Sequence, residues 1–217
     1  MTHQGELFSV PPLDTLKFEK IAYSNGVTYV AGIDEAGRGP LAGPVMAAAV
    51  ILPAGLSIIG VDDSKKLTPY KRDKLFDIIM AQALSVGVGI VSPAEIDQIN
   101  ILQATRRAML GAVQQLSHQP DYLLIDGIST IDSTVPQKTI KKGDSLSLSI
   151  AAASIIAKVT RDRLMVEMDS TYPGYGFAGH KGYGSAAHMD AIRVLGPCPI
   201  HRLTFGGVRE YVDCTFS

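Results

Sequence analysis

Tryptophan is absent from this chain, and cysteine occurs only twice in 217 residues, as Cys198 and Cys214. Two cysteines without metal-ligand spacing exclude a disulfide framework and a thiolate metal centre, and they fit a reducing, cytoplasmic setting. An excess of one charge is also missing: Lys and Arg total 20, Asp and Glu 21, for a formal net charge of −1. Bulk charge therefore points to no polyanionic partner, and any basic surface has to be local. The apolar stretch 41–52 falls short of the ~20 residues that span a bilayer. No charged segment precedes a hydrophobic N-terminal one, so neither membrane association nor secretion is expected. Internal repeats and low-complexity tracts are lacking too.

What is present suffices for one substantial core, with 46% hydrophobic residues. Residues 1–27, with Pro11-Pro12, read as a tail and a short helix, and 28–217 read as a single domain. Strands are expected at 28–35, 45–52, 86–91, 122–125 and 135–141, the first two as antiparallel neighbours across a Gly/Pro turn. Thr68-Pro69 opens a helix on which Leu75, Ile78, Ile79 and Leu84 share a face. A second helix is expected over 101–116. A long third helix runs to about Asp169 from an N-cap at Asp144 or Ser145, with Leu148, Ala152, Ile155 and Val159 as its apolar face. A shorter helix follows over 186–195. The pattern predicts an α/β domain with a mixed central sheet flanked by helices and a helical C-terminal region.

The chemistry-bearing residues sit at the ends of these elements. Asp34 and Glu35 close the first strand just before Gly37-Arg38-Gly39. Neighbouring residues of a regular strand point to opposite faces, so both acids serve one site only where the strand ends. Asp126-Gly127 repeats the pattern on another strand, and Asp144 lies at a helix start. Taken alone, Asp126-Gly127 is more often a turn and Asp144 more often a helix cap. Gathered together, four carboxylates repel unless neutralised, and two Mg²⁺ or Mn²⁺ ions bring matching charge.

Gly37-Arg38-Gly39 is either an ordinary turn or a place where bare backbone approaches a sugar or phosphate while Arg38 adds charge. Asp63-Ser64-Lys65-Lys66 reads as a solvated loop or, folded toward the acids, as a phosphate contact through Lys65. His180 and His188 lack the partners of a zinc site. Tyr183, between glycines, is placed to stack on a base or sugar, or else packs beneath its loop.

Taken jointly, these segments resemble the ribonuclease HII family, the type 2 ribonucleases H of bacteria. The matching stretches begin at 32–40, 63–67, 124–127 and 142–144, the last continuing into the helix through Asp162. His180-Lys181-Gly182-Tyr183 and Pro197-Cys198-Pro199-Ile200-His201-Arg202 complete the order. The resemblance implies a ribonuclease H-like fold, with Asp34, Glu35, Asp126 and Asp144 as catalytic acids that bind two Mn²⁺ or Mg²⁺ ions. It implies that Gly37, Arg38 and Gly39 read the ribose 2′-hydroxyl with Tyr183, while Ser64 and Lys65 contact substrate. The implied activity is endonucleolytic cleavage of RNA in RNA–DNA hybrids and at ribonucleotides embedded in duplex DNA. The cut falls 5′ of the ribonucleotide and leaves 3′-hydroxyl and 5′-phosphate ends. An added N-terminal domain like that of the related ribonuclease HIII is not expected.

Gln4, Leu7 and Phe8 resemble a bacterial sliding-clamp-binding peptide, although Leu7 and Phe8 also suit packing on the domain. A cytoplasmic monomer is expected. The competing readings are a junction resolvase indifferent to ribose and a nucleic-acid-binding module whose acids hold structural metal.

Overall fold

In the computed structural model, which describes residues 14–61, 63–65 and 67–212, strand structure begins where small and β-branched residues replace the polar N-terminal segment. Gln4, Leu7, Phe8, Lys66 and Cys214 lie outside the described residues. β1 (Val30–Ala36) and β2 (Val45–Ile51) are buried along almost their whole length, as interior strands covered on both faces are. They pair antiparallel with Asp34 opposite Ala48, and β3 (Ser85–Val91) extends the antiparallel pairing beyond β2. On the other side of β1, β4 (Tyr122–Asp126) and β5 (Gln137–Ile140) run parallel to their neighbours. The strand order is β3-β2-β1-β4-β5, a mixed sheet with β1 in its middle.

Side-chain alternation sorts the two faces. Ala31, Ile33, Ala47 and Ala49 pack with Ala104, Ala108 and Ala112 of α3 (Pro93–Gln114). Ala48 and Val50 pack with Ile79 of α2 (Pro69–Gln82) and with Ala152, Ile155 and Ile156 of α4 (Leu148–Thr171). The same alternation puts Asp34 on the α4 face and Glu35 on the opposite one. Helix and sheet backbones approach closely: a Cβ on Gly32 would lie 2.1 Å from the carbonyl carbon of Ser149, which leaves room for glycine alone. Upstream, α1 (Lys17–Ser24) packs Ala22 near Val30 and Ile150. Its buried Glu19 accepts hydrogen bonds from the Ser147 hydroxyl at 2.6 Å and the Ser149 amide at 3.0 Å, fixing the start of α4. After α4, α5 (Phe177–His180) and α6 (Ala186–Leu195) form the helical C-terminal region.

Three expectations need correction. α4 begins at Leu148 with Ser147 as its N-cap, accepting from the Ile150 amide, whereas Asp144 lies in a separate 3₁₀ turn, Gly143–Ser145. Asp and Ser at 144–145 carry cap chemistry, but the chain makes a tight turn there before the helix starts. α3 begins at Pro93 rather than Ile101, because Ser92 and Glu95 form a capping box. Asn100, at φ 66°, then breaks the helical phase, and its side chain accepts from the amides of Leu102 and Gln103. On the α2 segment, Leu75 and Ile79 are buried, but Ile78 is exposed and Leu84 lies exposed beyond the helix end. Among the described residues no helix is long and apolar enough to cross a membrane.

Candidate active site

The register of β1 and β4 brings the first two acids together. Ile33 pairs with Ile125 in parallel, so Asp34 and Asp126 follow side by side and face the same way. Asp144 arrives from the turn after β5, which is held by a 2.6 Å hydrogen bond from the Gly143 amide to Asp126 Oδ1. One carboxylate oxygen from each of Asp34, Asp126 and Asp144 lies within 4.8 Å of the others. Asp34 is 5% exposed. Burial first, then the charges of Glu35 and Asp126, raise its pKa well above the ordinary carboxylate value, although its own bond from the Glu35 amide at 2.7 Å works the other way. Burial, followed by the Asp126 and Asp63 charges, also raises Asp144. Hard oxygen donors that destabilise one another in this way suit a divalent cation such as Mg²⁺ or Mn²⁺.

Glu35 stands beside this group rather than within it, as strand alternation requires. Burial raises its pKa while Arg38, ion-paired at 3.4 Å, opposes the shift. Both acids line a cavity of about 750 Å³ together with Gly37, Arg38, Gly39, Ser64, Lys65 and Tyr183. Burial disfavours the Lys65 ammonium, yet the carboxylates of Asp34, Asp63, Asp144 and Glu35 hold its pKa above the usual lysine value. Tyr183 is 45% exposed. A Cβ on Gly39 would lie 3.9 Å from the Tyr183 ring, so the turn and the aromatic residue flank the same opening.

Residues without an assigned role in the sequence reading hold this opening in shape. Arg72 on α2 donates to the carbonyls of Ser64 and Leu67 at 2.8 and 2.9 Å, fixing the Lys65 loop. Lys158 on α4 lies over the Tyr183 ring at 5.7 Å and pairs with Asp162 at 2.7 Å. Two fully buried arginines go further. Arg161 donates to the carbonyls of Pro44, Lys181 and Ala42, each at 3.0 Å, tying the Tyr183 loop to residues 42–44. Arg202 donates to the carbonyls of Gly37, Arg38 and Gly43. Arg161 had one sequence signal: it falls in helical register between the buried Ala157 and Met165. His180 and His188 stand apart from the acids and stack on each other.

Comparison with known structures gives the class. The ribonuclease H2 from Pyrococcus horikoshii OT3 matches with a TM-score of 0.72 at 29% identity, covering 86% of this chain and 98% of that one. The RNase HII in the PCNA:RNase HII complex from Archaeoglobus fulgidus matches with a TM-score of 0.68 at 25% identity, covering 82% and 95%. Fold and carboxylate chemistry together make the protein a metal-dependent nuclease of the ribonuclease H-like class. The family model described as Ribonuclease HII spans residues 31–208. The Ribonuclease HII of Pelobacter propionicus is 68% identical over 214 residues, covering 99% of this chain and 98% of the relative. The chain belongs to the ribonuclease HII family. Its activity is that of a divalent-metal-dependent ribonuclease H acting on RNA–DNA hybrids.

Proposed function

We propose that the enzyme also cuts at ribonucleotides embedded in duplex DNA, on the 5′ side of the ribonucleotide, leaving 3′-hydroxyl and 5′-phosphate ends. The observation that carries this reading is the shared cavity: Asp34 and Glu35, the Gly37–Gly39 turn and Tyr183 all line one opening. A test for ribose therefore sits beside the place of cutting.

In this reading Asp34, Asp126 and Asp144, with Glu35 alongside, hold two Mg²⁺ or Mn²⁺ ions. Bound there, the ions would supply Lewis-acid activation of the attacking water and charge stabilisation at the departing 3′-oxygen. The chain's own residues choose the bond. The carbonyls of Gly37 and Arg38 turn inward to Arg202. Across a trans peptide the N–H points opposite to the carbonyl, so the amides of Arg38 and Gly39 face the other way, available to a sugar hydroxyl or phosphate. The 2′-hydroxyl distinguishes RNA from DNA, and a backbone contact to it gives selectivity without base readout. Tyr183 stacks on the sugar of the adjoining deoxynucleotide, and Lys65 and Ser64 meet the phosphate backbone.

The tail residues Gln4, Leu7 and Phe8 are proposed to dock on a sliding clamp. The Archaeoglobus relative, whose structure is a complex with PCNA, supports that reading. A binding titration comparing the full chain with one lacking residues 1–10 tests it, and equal affinities would remove the idea.

The main proposal is tested with two duplexes that differ by one 2′-hydroxyl. Cleavage of the one-ribonucleotide duplex and none of the all-DNA duplex is expected. Equal cleavage of both would favour a ribose-indifferent resolvase.

A further inference from the structure

Three histidines outside the carboxylate group stand behind Tyr183, and the backbone dictates where each carries its proton. His188 and His201 are buried at 0% and 2% exposure, and His180 stacks on His188 with ring centroids 4.3 Å apart. The Cys198 amide, which can only donate, points at His201 Nδ1 from 2.9 Å. The Cys198 thiol, also able to donate, lies 3.1 Å from the same nitrogen, while the Cys198 carbonyl is farther at 3.3 Å. Nδ1 of His201 is therefore the acceptor, and the neutral ring keeps its proton on Nε2. That nitrogen lies 3.0 Å from His188 Nε2, which must accept. The His188 proton is then on Nδ1, 2.9 Å from the carbonyl oxygen of Tyr183. The same logic fixes His180: the Gly182 amide donates to its Nδ1 at 3.1 Å, so Nε2 donates to the Tyr175 carbonyl at 2.8 Å.

Burial lowers the pKa of His188, and burial together with the His188 charge holds His201 at about 4, so both rings stay neutral at physiological pH. The far end of the chain is anchored beside the Gly37 turn. Ala42 bridges to His201, the Gly43 amide donates to the Ile200 carbonyl at 2.8 Å, and the Arg202 amide donates to the Leu41 carbonyl at 2.8 Å.

We propose that His201 and His188 are positioning residues for Tyr183: a one-way hydrogen-bond chain runs from the Cys198 amide through both rings to the Tyr183 carbonyl. It refers the aromatic residue to the same segment, 41–44, against which Arg202 holds the Gly37–Gly39 turn. The Tyr183 carbonyl also accepts from the Ser185 amide at 2.8 Å, so its peptide is fixed from two directions. The inference rests on the reading of Tyr183 as the residue that stacks on the substrate sugar.

Long-range proton–nitrogen NMR on the histidine-labelled full chain tests the hydrogen-bond chain without altering the fold. His188 is expected as the Nδ1–H tautomer and His201 and His180 as Nε2–H; an Nε2–H tautomer at His188 overturns the proposal. Kinetics on a one-ribonucleotide duplex test the consequence. His188→Leu is expected to raise KM about tenfold with kcat within about twofold, and His188→Asn, whose amide replaces the Nδ1 donor, to restore much of the loss. A fall in kcat with KM unchanged, or no rescue by asparagine, counts against positioning. Tyr183→Ala separates the two readings. A raised KM there with an unaltered His188→Leu removes the relay alone, whereas an unaltered Tyr183→Ala removes the stacking reading and the relay with it.

Discussion

Arg202 donates to the carbonyl of Gly37 from a guanidinium that is fully buried and whose hydrogen bonds all run to main-chain oxygens. Burial, and then the nearby Arg161 charge, lower its pKa to about 9, which still leaves it charged at neutral pH. Only a planar fork reaches three carbonyls on two sides of a turn. Arg202→Lys keeps the charge and loses the fork. The expected result is a stability loss of about 1–3 kcal/mol by urea denaturation. The preference for the one-ribonucleotide duplex over a DNA duplex should weaken in the same variant. Unchanged preference would show that the turn keeps its shape without the fork.

Two glycines of that turn should respond differently to the same change. Gly37 has φ 93°, and a Cβ there would lie 2.1 Å from Arg161 Nε and 2.8 Å from the Pro44 carbonyl. Gly37→Ala is expected to cost about 2–4 kcal/mol and to abolish activity. Gly39 has no such constraint, and its added methyl would make ordinary contact with the Tyr183 ring. Gly39→Ala should therefore keep its unfolding midpoint while its KM for the one-ribonucleotide duplex rises. Matching midpoints for both variants would contradict the account.

Removing one acid should separate stability from activity. The carboxylates of Asp34, Asp126 and Asp144 oppose one another when no cation is bound. In metal-free buffer, Asp34→Asn is expected to melt at a higher temperature than the parent chain. Added Mn²⁺ at a hundred times its Kd should stabilise the parent by about 2.7 kcal/mol, and it should shift the variant far less. Calorimetry with and without chelator reads both effects, and the variant should show no turnover. A full Mn²⁺ shift in Asp34→Asn would place the ion elsewhere.

Acid should loosen the C-terminal region through His201. Its pKa is about 4 in the fold, against roughly 6.5 for an unperturbed histidine. Between those values the unfolded chain binds a proton that the folded chain does not, so stability falls as pH drops from 6.5 toward 4 and then levels. The His188 ring, also lowered, contributes with the same sign. The other groups around the ring are His180, Tyr175 and Cys198; burial raises Tyr175 and Cys198, which stay protonated throughout this range. Between pH 7 and pH 5 the contribution is on the order of 2 kcal/mol. Denaturation at pH 7 and pH 5 should show a smaller loss for His201→Gln than for the parent, and equal losses would exclude His201 as the source.

What the sequence makes legible is local. β1 and β2 are readable from apolar runs broken by a Gly/Pro turn, and the acids are readable as strand-end residues. The juxtaposition of Asp34 with Asp126 depends on a parallel register across 91 intervening residues, which no local pattern carries. Asp144 and Ser145 look like a helix cap because their side chains suit one, and only the backbone reveals the tight turn that separates them from Ser147. Arg161 and Arg202 escape a role because their partners are main-chain carbonyls, which have no residue identity to read. The histidines likewise make sense only once His201 is seen against His188.

The central claim is that ribose recognition places the cut, and mapping both new ends on a duplex with one ribonucleotide tests it most directly. In Mg²⁺ and in Mn²⁺ the account predicts one nick immediately 5′ of the ribonucleotide, with a 3′-hydroxyl that a polymerase extends and a 5′-phosphate that remains on the ribonucleotide. A nick on the 3′ side, or a 2′,3′-cyclic phosphate end, would contradict it.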